Sequence, residues 1–237
     1  MSNKKRVVEV RRDPSEAPAV IDGKMFYGLH LDGEQEIFAN AIWNKDNDII
    51  FVNAKAGCGK TMVATGVANL LVQYGFYDNI FYIVSPYGEK KQGYLPGDLD
   101  EKSSVYFDPL FQALAVCGVD PYKVITSDIT NQKNGTSYVT CMTDTFLRGQ
   151  NLDNAVIIID EAQNFTTSQL KKTLTRVEKH TKVIVIGHTE QCDLDDTTSS
   201  GFARYLAHFK DEDRAAVCSL TNNHRGWVSK HADDLVE

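Results

Sequence analysis

The residues with the clearest chemical potential lie in the stretch FVNAKAGCGKTMVATG, residues 51–66. It passes from an apolar run through a glycine-containing turn into a helical pattern, so several backbone N–H groups and the positive end of a helix dipole converge on one spot. Gly57 and Gly59 let the backbone curl without Cβ collisions. Lys60 can reach terminal phosphates, and the Thr61 hydroxyl can ligate a magnesium ion. The stretch predicts a Walker A loop for a nucleoside triphosphate.

Position 54 departs from the full pattern G-x-x-x-x-G-K-[ST], because Ala54 stands where the first glycine belongs. A negative φ would make this alanine harmless, whereas a positive φ would cost on the order of 1 kcal/mol or more. Cys58 lies at the helix N-terminus beside Lys60, so it is either a thiol of lowered pKa, open to oxidation, or a small filler. The predicted nucleotide contacts are Ala54, Lys55, Ala56, Gly57, Cys58, Gly59, Lys60, Thr61 and Met62.

A second chemical signal is VIIIDEAQ at residues 156–163, where four apolar residues run straight into two acids. Alone, such a pair is often a solvated strand exit. A P-loop site, however, needs one carboxylate for Mg²⁺ and another to orient the attacking water, both at a neighbouring strand's carboxyl end. We assign Asp160 to the metal, and Glu161 as the general base or the group that positions the attacking water. Together the two stretches predict binding and hydrolysis of a nucleoside triphosphate with Mg²⁺.

Apolar strands alternating with helical patterns must position these groups. Such wholly apolar strands predict a parallel sheet covered by helices on both faces, an α/β fold with three layers. A Thr166-x-x-Gln169 capping box marks one helix start. The predicted strands are 48–53, 79–86, 155–163 and 182–191, and the predicted helices are 32–44, 60–74, 108–118 and 166–180. Two further short strands, 122–126 and 137–143, are predicted around a hairpin-like Asn-Gly turn at 131–136.

Length and composition exclude several classes. With 237 residues, 42% of them hydrophobic, the chain can bury the core of one domain. A net charge of −7 argues against coating nucleic acid or membranes by bulk electrostatics. The N-terminus lacks a signal peptide's apolar run, and no apolar segment is long enough for a membrane span. Five cysteines without C-x-x-C spacing suggest neither a disulfide framework nor a zinc site. We expect a soluble cytoplasmic protein with no membrane partner.

Three segments closely resemble the PhoH-like proteins, P-loop ATPases related to superfamily-one helicase cores: GYLPGDLDEK (93–102), TFLRGQNLDNAVIIIDEAQNFTTSQLKKTLTRV (145–177) and KVIVIGHTEQCDL (182–194). The resemblance covers about residues 32–230. It implies a RecA-like sheet, magnesium-dependent ATP hydrolysis, association with RNA, and ring-shaped homo-oligomers such as hexamers. We expect an N-terminal flank at 1–31 and one ATPase domain at 32–237. No residues are left for the added nuclease domain of some relatives, so nuclease activity is not expected.

The resemblance also assigns roles near the sensor strand and the C-terminus. Gln191 matches the glutamine of the family's GDxxQ element, which senses the γ-phosphate. His188 replaces the usual aspartate, which puts the hydrolysis rate in question; the alternative is that His188 is a solvent-facing loop residue. Arg225 lies where PhoH-like chains carry an arginine near their end, and we predict it as an arginine finger acting on the neighbouring subunit of a ring. Arg176 is a second candidate, and Arg148 a third with a nucleic-acid role.

Gln35 has two interpretations that the sequence leaves open. Helicase relatives read adenine with a glutamine amide before the P-loop, since its donor and acceptor suit the edge of the base. Asp32-x-x-Gln35 is also a capping-box pattern, in which the amide bonds its own helix N-terminus. The sequence also leaves two interpretations of the candidate nucleic-acid surface. The basic segment 171–182 and three aromatic residues could bind single strands, or they could be a solvated face and core side chains: Phe165, Tyr87 and Tyr94.

The sequence therefore predicts an ATPase that couples ATP binding and hydrolysis to RNA binding or remodelling, with single-stranded DNA as another possible partner. Two other functions remain open. A nucleotide-gated RNA-binding or assembly module would bind ATP tightly and turn it over slowly. A P-loop small-molecule kinase would form a phosphorylated metabolite, although no arginine-rich lid segment is apparent in the sequence.

Overall fold

The computed structural model describes residues 12–24, 26–86, 99–147, 152–194 and 196–233. Six strands form one sheet: β1 Ile49–Ala54, β2 Asn79–Val84, β3 Val139–Thr143, β4 Ala155–Ile159, β5 Thr181–Gly187 and β6 Ala215–Leu220. Eight helices are described: α1 Gly33–Trp43, α2 Lys60–Gln73, α3 Leu99–Val116, α4 Pro121–Val124, α5 Ile129–Asn134, α6 Thr167–Leu174, α7 Phe202–Phe209 and α8 Trp227–Asp233. None of these helices is long and apolar enough to cross a bilayer.

The strand order is β3-β2-β4-β5-β1-β6, and every neighbouring pair is parallel. The predicted parallel sheet is therefore confirmed. In a parallel sheet all carboxyl ends meet at one edge, which is where ligands bind in open α/β folds. The loop after β1 and the acids after β4 both leave the sheet at this edge, separated only by β5.

The apolar side chains of the strands point alternately to the two faces of the sheet, and each face has its own hydrophobic core. Ile50 and Val52 of β1 pack on the face covered by α1, α2 and α3. Phe51, between them in sequence, packs on the opposite face with residues of α6 and α7. Both sets are fully buried, because successive strand side chains point to opposite faces and both faces are covered. Burial on both faces explains why the strands appear in the sequence as continuous apolar runs.

The described part of the N-terminal flank packs against this domain. Phe26 is buried, and its ring lies so close to Gly66 of α2 that a Cβ there would be 2.4 Å from Cζ of Phe26. Tyr27, which has a positive φ of 53°, donates its hydroxyl to the carbonyl of Gly66 at 3.1 Å. Asp32 is the N-cap of α1, and the domain boundary at residue 32 stays a prediction.

The predicted hairpin around 131–136 is wrong. Asp120 caps α4, which starts at Pro121, and Asn134-Gly135 ends α5 with Gly135 in the left-handed region at φ 73°. Asn-Gly suits a helix C-terminus as well as a turn, since both need a positive φ. β3 instead pairs in parallel with β2. The sequence patterns also missed β6 and the first half of α3.

Candidate nucleotide-binding site

The loop between β1 and α2 has the backbone that a Walker A loop requires. Gly57 and Gly59 have positive φ angles of 75° and 76°. Ala54 is the last residue of β1 and is not among the described non-glycine residues of positive φ, so the departure from the glycine pattern costs no backbone strain. The glycines are needed for space as well, since a Cβ on Gly59 would lie 2.8 Å from Nε2 of Gln35.

The lysine of this loop faces the predicted general base across the carboxyl edge. Nζ of Lys60 lies 2.8 Å from Oε1 of Glu161, and the two side chains are 16% and 47% exposed. Lys60 begins α2, so its ammonium adds to the positive end of that helix dipole. The first βα corner and the acids of β4 therefore meet in one cleft, as the sequence predicted.

Asp160 is the buried centre of the site, with 1% of its surface exposed. Its Oδ2 accepts hydrogen bonds from the hydroxyls of Thr61 and Tyr82, each at 2.7 Å. Its Oδ1 accepts the backbone N–H of Glu161 at 2.9 Å. Three donors thus hold the carboxylate in one orientation. Tyr82 was not predicted, because the sequence shows it only as one more residue of an apolar strand.

Burial raises the pKa of Asp160, and the adjacent Glu161 carboxylate raises it further, while Lys60 and the hydroxyl donors act in the opposite direction. Burial also acts to raise the pKa of Glu161, but Lys60 and the hydrogen bond from Gln163 outweigh it and leave that pKa lowered. For Lys60, burial acts to lower the pKa, yet the two carboxylates leave it raised. Glu161 and Lys60 are accordingly a charged pair at neutral pH.

The donor set fits a magnesium ion. The Thr61 hydroxyl and the Asp160 carboxylate are hard oxygen ligands already in contact at 2.7 Å. Magnesium in nucleotide enzymes is bound by one or two protein oxygens together with waters and phosphates, so no larger cluster of acids is required. Such an ion, when bound, would neutralise charge on the phosphate oxygens.

Glu161 has a left-handed backbone, with φ 51° and ψ 44°. Its side chain accepts a hydrogen bond from Nε2 of Gln163 at 2.5 Å. Oε1 of Gln163 in turn accepts the backbone N–H of His188 at 3.1 Å. Gln163 therefore connects the acids after β4 with the loop after β5. A non-glycine residue of positive φ at this point indicates local strain held by surrounding contacts.

The loop after β5 holds the predicted sensor residues. His188 is 8% exposed, so the interpretation of it as a solvent-facing residue is wrong. Its Nδ1 accepts the backbone N–H of Glu190 at 3.3 Å. Gln191 is exposed, and within the described chain it makes no hydrogen bond to the phosphate loop. Its sensor role stays a prediction.

The segment 221–225 folds back over the phosphate loop. Glu34 accepts the backbone N–H of Thr221 at 2.6 Å, and Asp32 accepts Nε2 of His224 at 2.9 Å. The backbone N–H of His224 donates to the carbonyl of Gly57 at 2.9 Å. These long-range bonds, which leave no local sequence pattern, fix the segment beside the cleft.

Arg225 consequently lies beside the phosphate loop of its own chain. A Cβ on Gly57 would be 2.9 Å from Cγ of Arg225, and the arginine lines a cavity together with Lys60 and Thr61. The sequence interpretation placed this arginine in the site of a neighbouring subunit. In the structure it lines the site of the same chain.

Gln35 adopts the capping-box geometry. Its backbone N–H donates to Oδ1 of Asp32 at 2.8 Å, and its Oε1 accepts the N–H of Asp32 at 3.1 Å. Its Nε2 donates to the carbonyl of Cys58 at 2.9 Å. The side chain is only 5% exposed. In this arrangement the carbonyl oxygen and one N–H of the Gln35 amide already have partners within the protein, and the side chain is buried.

The reactive-thiol interpretation of Cys58 is wrong. The residue is 1% exposed, its Sγ donates to the carbonyl of Lys55 at 2.9 Å, and it belongs to the hydrophobic core. Burial raises its pKa, and this outweighs the nearby Lys60 ammonium. Cys58 is the small filler of the loop.

Several other candidates lie elsewhere. Arg176 follows α6 and donates to the carbonyl of Leu147 at 2.9 Å, and it is not among the residues that line the cavity with Lys60 and Thr61. Phe165 is fully buried and cannot stack on a base. Lys182 is also buried, donates to the carbonyl of Asn44 at 2.8 Å, and has its pKa lowered by burial to about 8. Three residues lie outside the described part of the chain: Tyr87, Tyr94 and Arg148.

Known proteins resemble this chain over most of its length. The family model described as PhoH-like protein matches residues 30–230. Protein PhoH of Escherichia coli K12 is 30% identical over 186 residues, which cover 73% of this chain and 48% of that protein. A PhoH-like protein of Bacillus subtilis strain 168 is 35% identical over 178 residues, 74% of this chain and 53% of the relative. The chain thus spans about half the length of these curated relatives.

Solved structures share the fold. The UvsW helicase from bacteriophage T4 aligns with a TM-score of 0.52 at 10% identity, covering 81% of this chain and 60% of that one. The helicase MrfA bound to DNA aligns with a TM-score of 0.51 at 10% identity, covering 91% and 31%. At this identity the likeness shows a RecA-like core and nothing finer. With the family match over residues 30–230, the chain belongs to the PhoH-like protein family.

Proposed function

We propose that this protein is a Mg²⁺-dependent ATPase that couples ATP binding and hydrolysis to RNA binding or remodelling. The observation that carries the proposal is the contact of the Walker A residues with the two acids of β4. Nζ of Lys60 lies 2.8 Å from Glu161, and the Thr61 hydroxyl lies 2.7 Å from Asp160. The groups to which we assign phosphate binding, metal binding and water activation thus share one cleft.

The proposed sequence of events starts from the Lys60–Glu161 ion pair. An incoming triphosphate competes with Glu161 for the ammonium, because both are anions within reach of Nζ. Once Lys60 is bound to phosphate oxygens, Glu161 is released to accept a proton from the attacking water. In the nucleotide-free protein the nearby Lys60 lowers the pKa of Glu161, so the carboxylate is ionised before the triphosphate arrives. Asp160 stays in place, since two hydroxyls and a backbone N–H hold it.

We expect Arg225→Ala to lower ATP turnover by about 10³-fold, the smaller effect typical of an arginine finger, because the guanidinium stabilises charge on the γ-phosphoryl oxygens. Phosphate release at saturating Mg-ATP measures the effect. Arg214→Ala is the matched control, since Arg214 is an exposed arginine at the amino edge that pairs with Asp48. Turnover that survives in Arg225→Ala and is lost in Lys60→Ala would rule out the finger.

Mixing Arg225→Ala chains with Lys60→Ala chains tests whether Arg225 acts in the site of its own chain or in the site of a neighbouring subunit. If the arginine serves its own chain, the mixture has no active site with both residues and stays inactive. If it serves a neighbour in a ring, mixed rings recover part of the turnover. The position of Arg225 beside its own Gly57 favours the first outcome.

The RNA partner and the ring assembly rest on family membership. We expect single-stranded RNA to stimulate ATP turnover severalfold and single-stranded DNA to do so less. The measurement is phosphate release with and without each polymer, in the native chain and in Glu161→Gln. Stimulation that is absent with both polymers would contradict the nucleic-acid part of the proposal while leaving the ATPase intact.

A nucleotide-gated assembly module is the second candidate. It is favoured by the buried His188, which replaces the aspartate of the GDxxQ element that the family resemblance implies. Tight binding of Mg-ATP with slow turnover, and assembly that depends on nucleotide, would support this function over the first.

A further inference from the structure

A cavity of about 410 Å³ continues from the phosphate loop along the side of α3. Its volume falls within the range of small-ligand sites. One wall is formed by the loop and the start of α2, including Gly59 and Met62. The other is one face of α3, which contributes Pro109, Gln112, Ala113 and Val116. A nucleotide whose phosphates lie on the loop would extend its nucleoside into this space.

The α3 wall has the composition of a base site. Positions 109, 112, 113 and 116 follow the i, i+3, i+4, i+7 spacing of one helix face. Ala113, Val116 and Met62 supply apolar contact for the flat face of a base. Gln112 is exposed and places a carboxamide among them. A ligand pocket of this kind typically combines apolar walls with a few polar groups that fix orientation.

The amides of Gln35 and Gln112 differ in what they can still bind. Oε1 of Gln35 accepts the N–H of Asp32, one N–H of its Nε2 donates to the carbonyl of Cys58, and the residue is only 5% exposed. Freeing it would break the capping box of α1. The amide of Gln112 has no such commitment within the described chain, and it faces the cavity.

We infer that Gln112 is the residue that recognises the base of the nucleotide, and that the base is adenine. A glutamine amide presents a donor beside an acceptor, which matches the N7 acceptor and N6 amino donor of adenine. The inference rests on the proposed function, because it requires a nucleoside triphosphate on the phosphate loop. On this inference the base is recognised by Gln112 on α3, and Gln35 before the Walker A loop has no part in recognising it.

The test compares the binding of Mg-ATP, 7-deaza-ATP and purine riboside triphosphate by calorimetry. The second analogue lacks N7 and the third lacks the amino group. The native chain should bind each analogue about tenfold more weakly than ATP, the ratio that corresponds to about 1.4 kcal/mol. In Gln112→Ala the ratio of the analogue dissociation constant to the ATP dissociation constant should fall to nearly one. Gln112→Glu should lose the N7 preference, because a carboxylate cannot donate to N7.

Two glutamine controls complete the experiment. Gln132→Ala removes an exposed amide of α5, which donates to the carbonyl of Thr126, and should retain the native preference. Gln35→Ala should lower the melting temperature, since it removes the side chain that accepts the N–H of Asp32 in the capping box, while retaining the ratio between ATP and its analogues.

The outcomes separate the inference from the function on which it rests. A native chain that binds ATP and both analogues equally, or a Gln112→Ala variant with the native preference, would overturn the inference alone. Loss of the preference in Gln35→Ala instead would assign base reading to that residue. A native chain that binds none of the triphosphates would overturn the proposed ATPase itself.

Discussion

Replacing Lys60 with alanine is expected to reduce ATP turnover by a factor of about 10² to 10³ or more, since a preorganised cation that faces developing charge is worth at least that much. The variant removes the only group that pairs with Glu161 as a cation in the described cleft, 2.8 Å from its carboxylate. It also leaves two adjacent carboxylates, those of Asp160 and Glu161, to repel an incoming triphosphate. Phosphate release at saturating Mg-ATP, with calorimetric ATP affinity, measures both effects.

Lys179→Ala is the matched control for this variant. Lys179 is exposed and lies beyond α6 at the amino edge of the sheet, so its loss should leave turnover unchanged. Native turnover in a folded Lys60→Ala protein would contradict the site assignment altogether.

Glu161→Gln should produce the second large effect, a fall in turnover of about 10² to 10⁴, the range for loss of a general base. The same change should leave ATP affinity equal to or tighter than that of the native chain. The reason lies in the ion pair of the nucleotide-free protein, in which Glu161 occupies the ammonium that phosphate must bind. A glutamine holds Lys60 less strongly and so competes less with ATP.

The matched control is Glu178→Gln, which neutralises an exposed glutamate at the amino edge. Turnover and ATP affinity should both match the native values. If Glu161→Gln weakens ATP binding as much as it slows turnover, the residue holds the nucleotide or the loop and does not act as the base.

The parts of the site that the sequence could predict are those with a local physical signature. The glycines of the phosphate loop predict residues of positive φ. The run of apolar residues before Asp160 predicts a buried strand that ends in an acid. The Thr166–Gln169 capping box is likewise a short-range pattern, and both of its hydrogen bonds are present. Parallel strands then bring the carboxyl ends together without any further information.

The missed parts depend on contacts between distant segments. Segment 221–225 is positioned by Asp32, Glu34 and Gly57, and none of these bonds shows as periodicity in the sequence. β6 was missed because it is an edge strand with alternating burial and small residues, which gives a weak apolar signal. Cys58 was misjudged for a related reason, because its burial depends on the core around it and its sequence neighbours suggested an exposed, electropositive setting.

The hydrogen bonds between segment 221–225 and the start of α1 have a mechanical consequence. Asp32 and His224 are 192 positions apart along the chain, yet their side chains are in contact at 2.9 Å. A pulling force applied to the chain just after residue 225 would act on the backbone of His224. The hydrogen bond from the N–H of His224 would pass that force to the carbonyl of Gly57 in the phosphate loop. Fluorophores and tethers are therefore better attached at Asn134-Gly135, at the far edge of the sheet, where a load would not reach the phosphate loop.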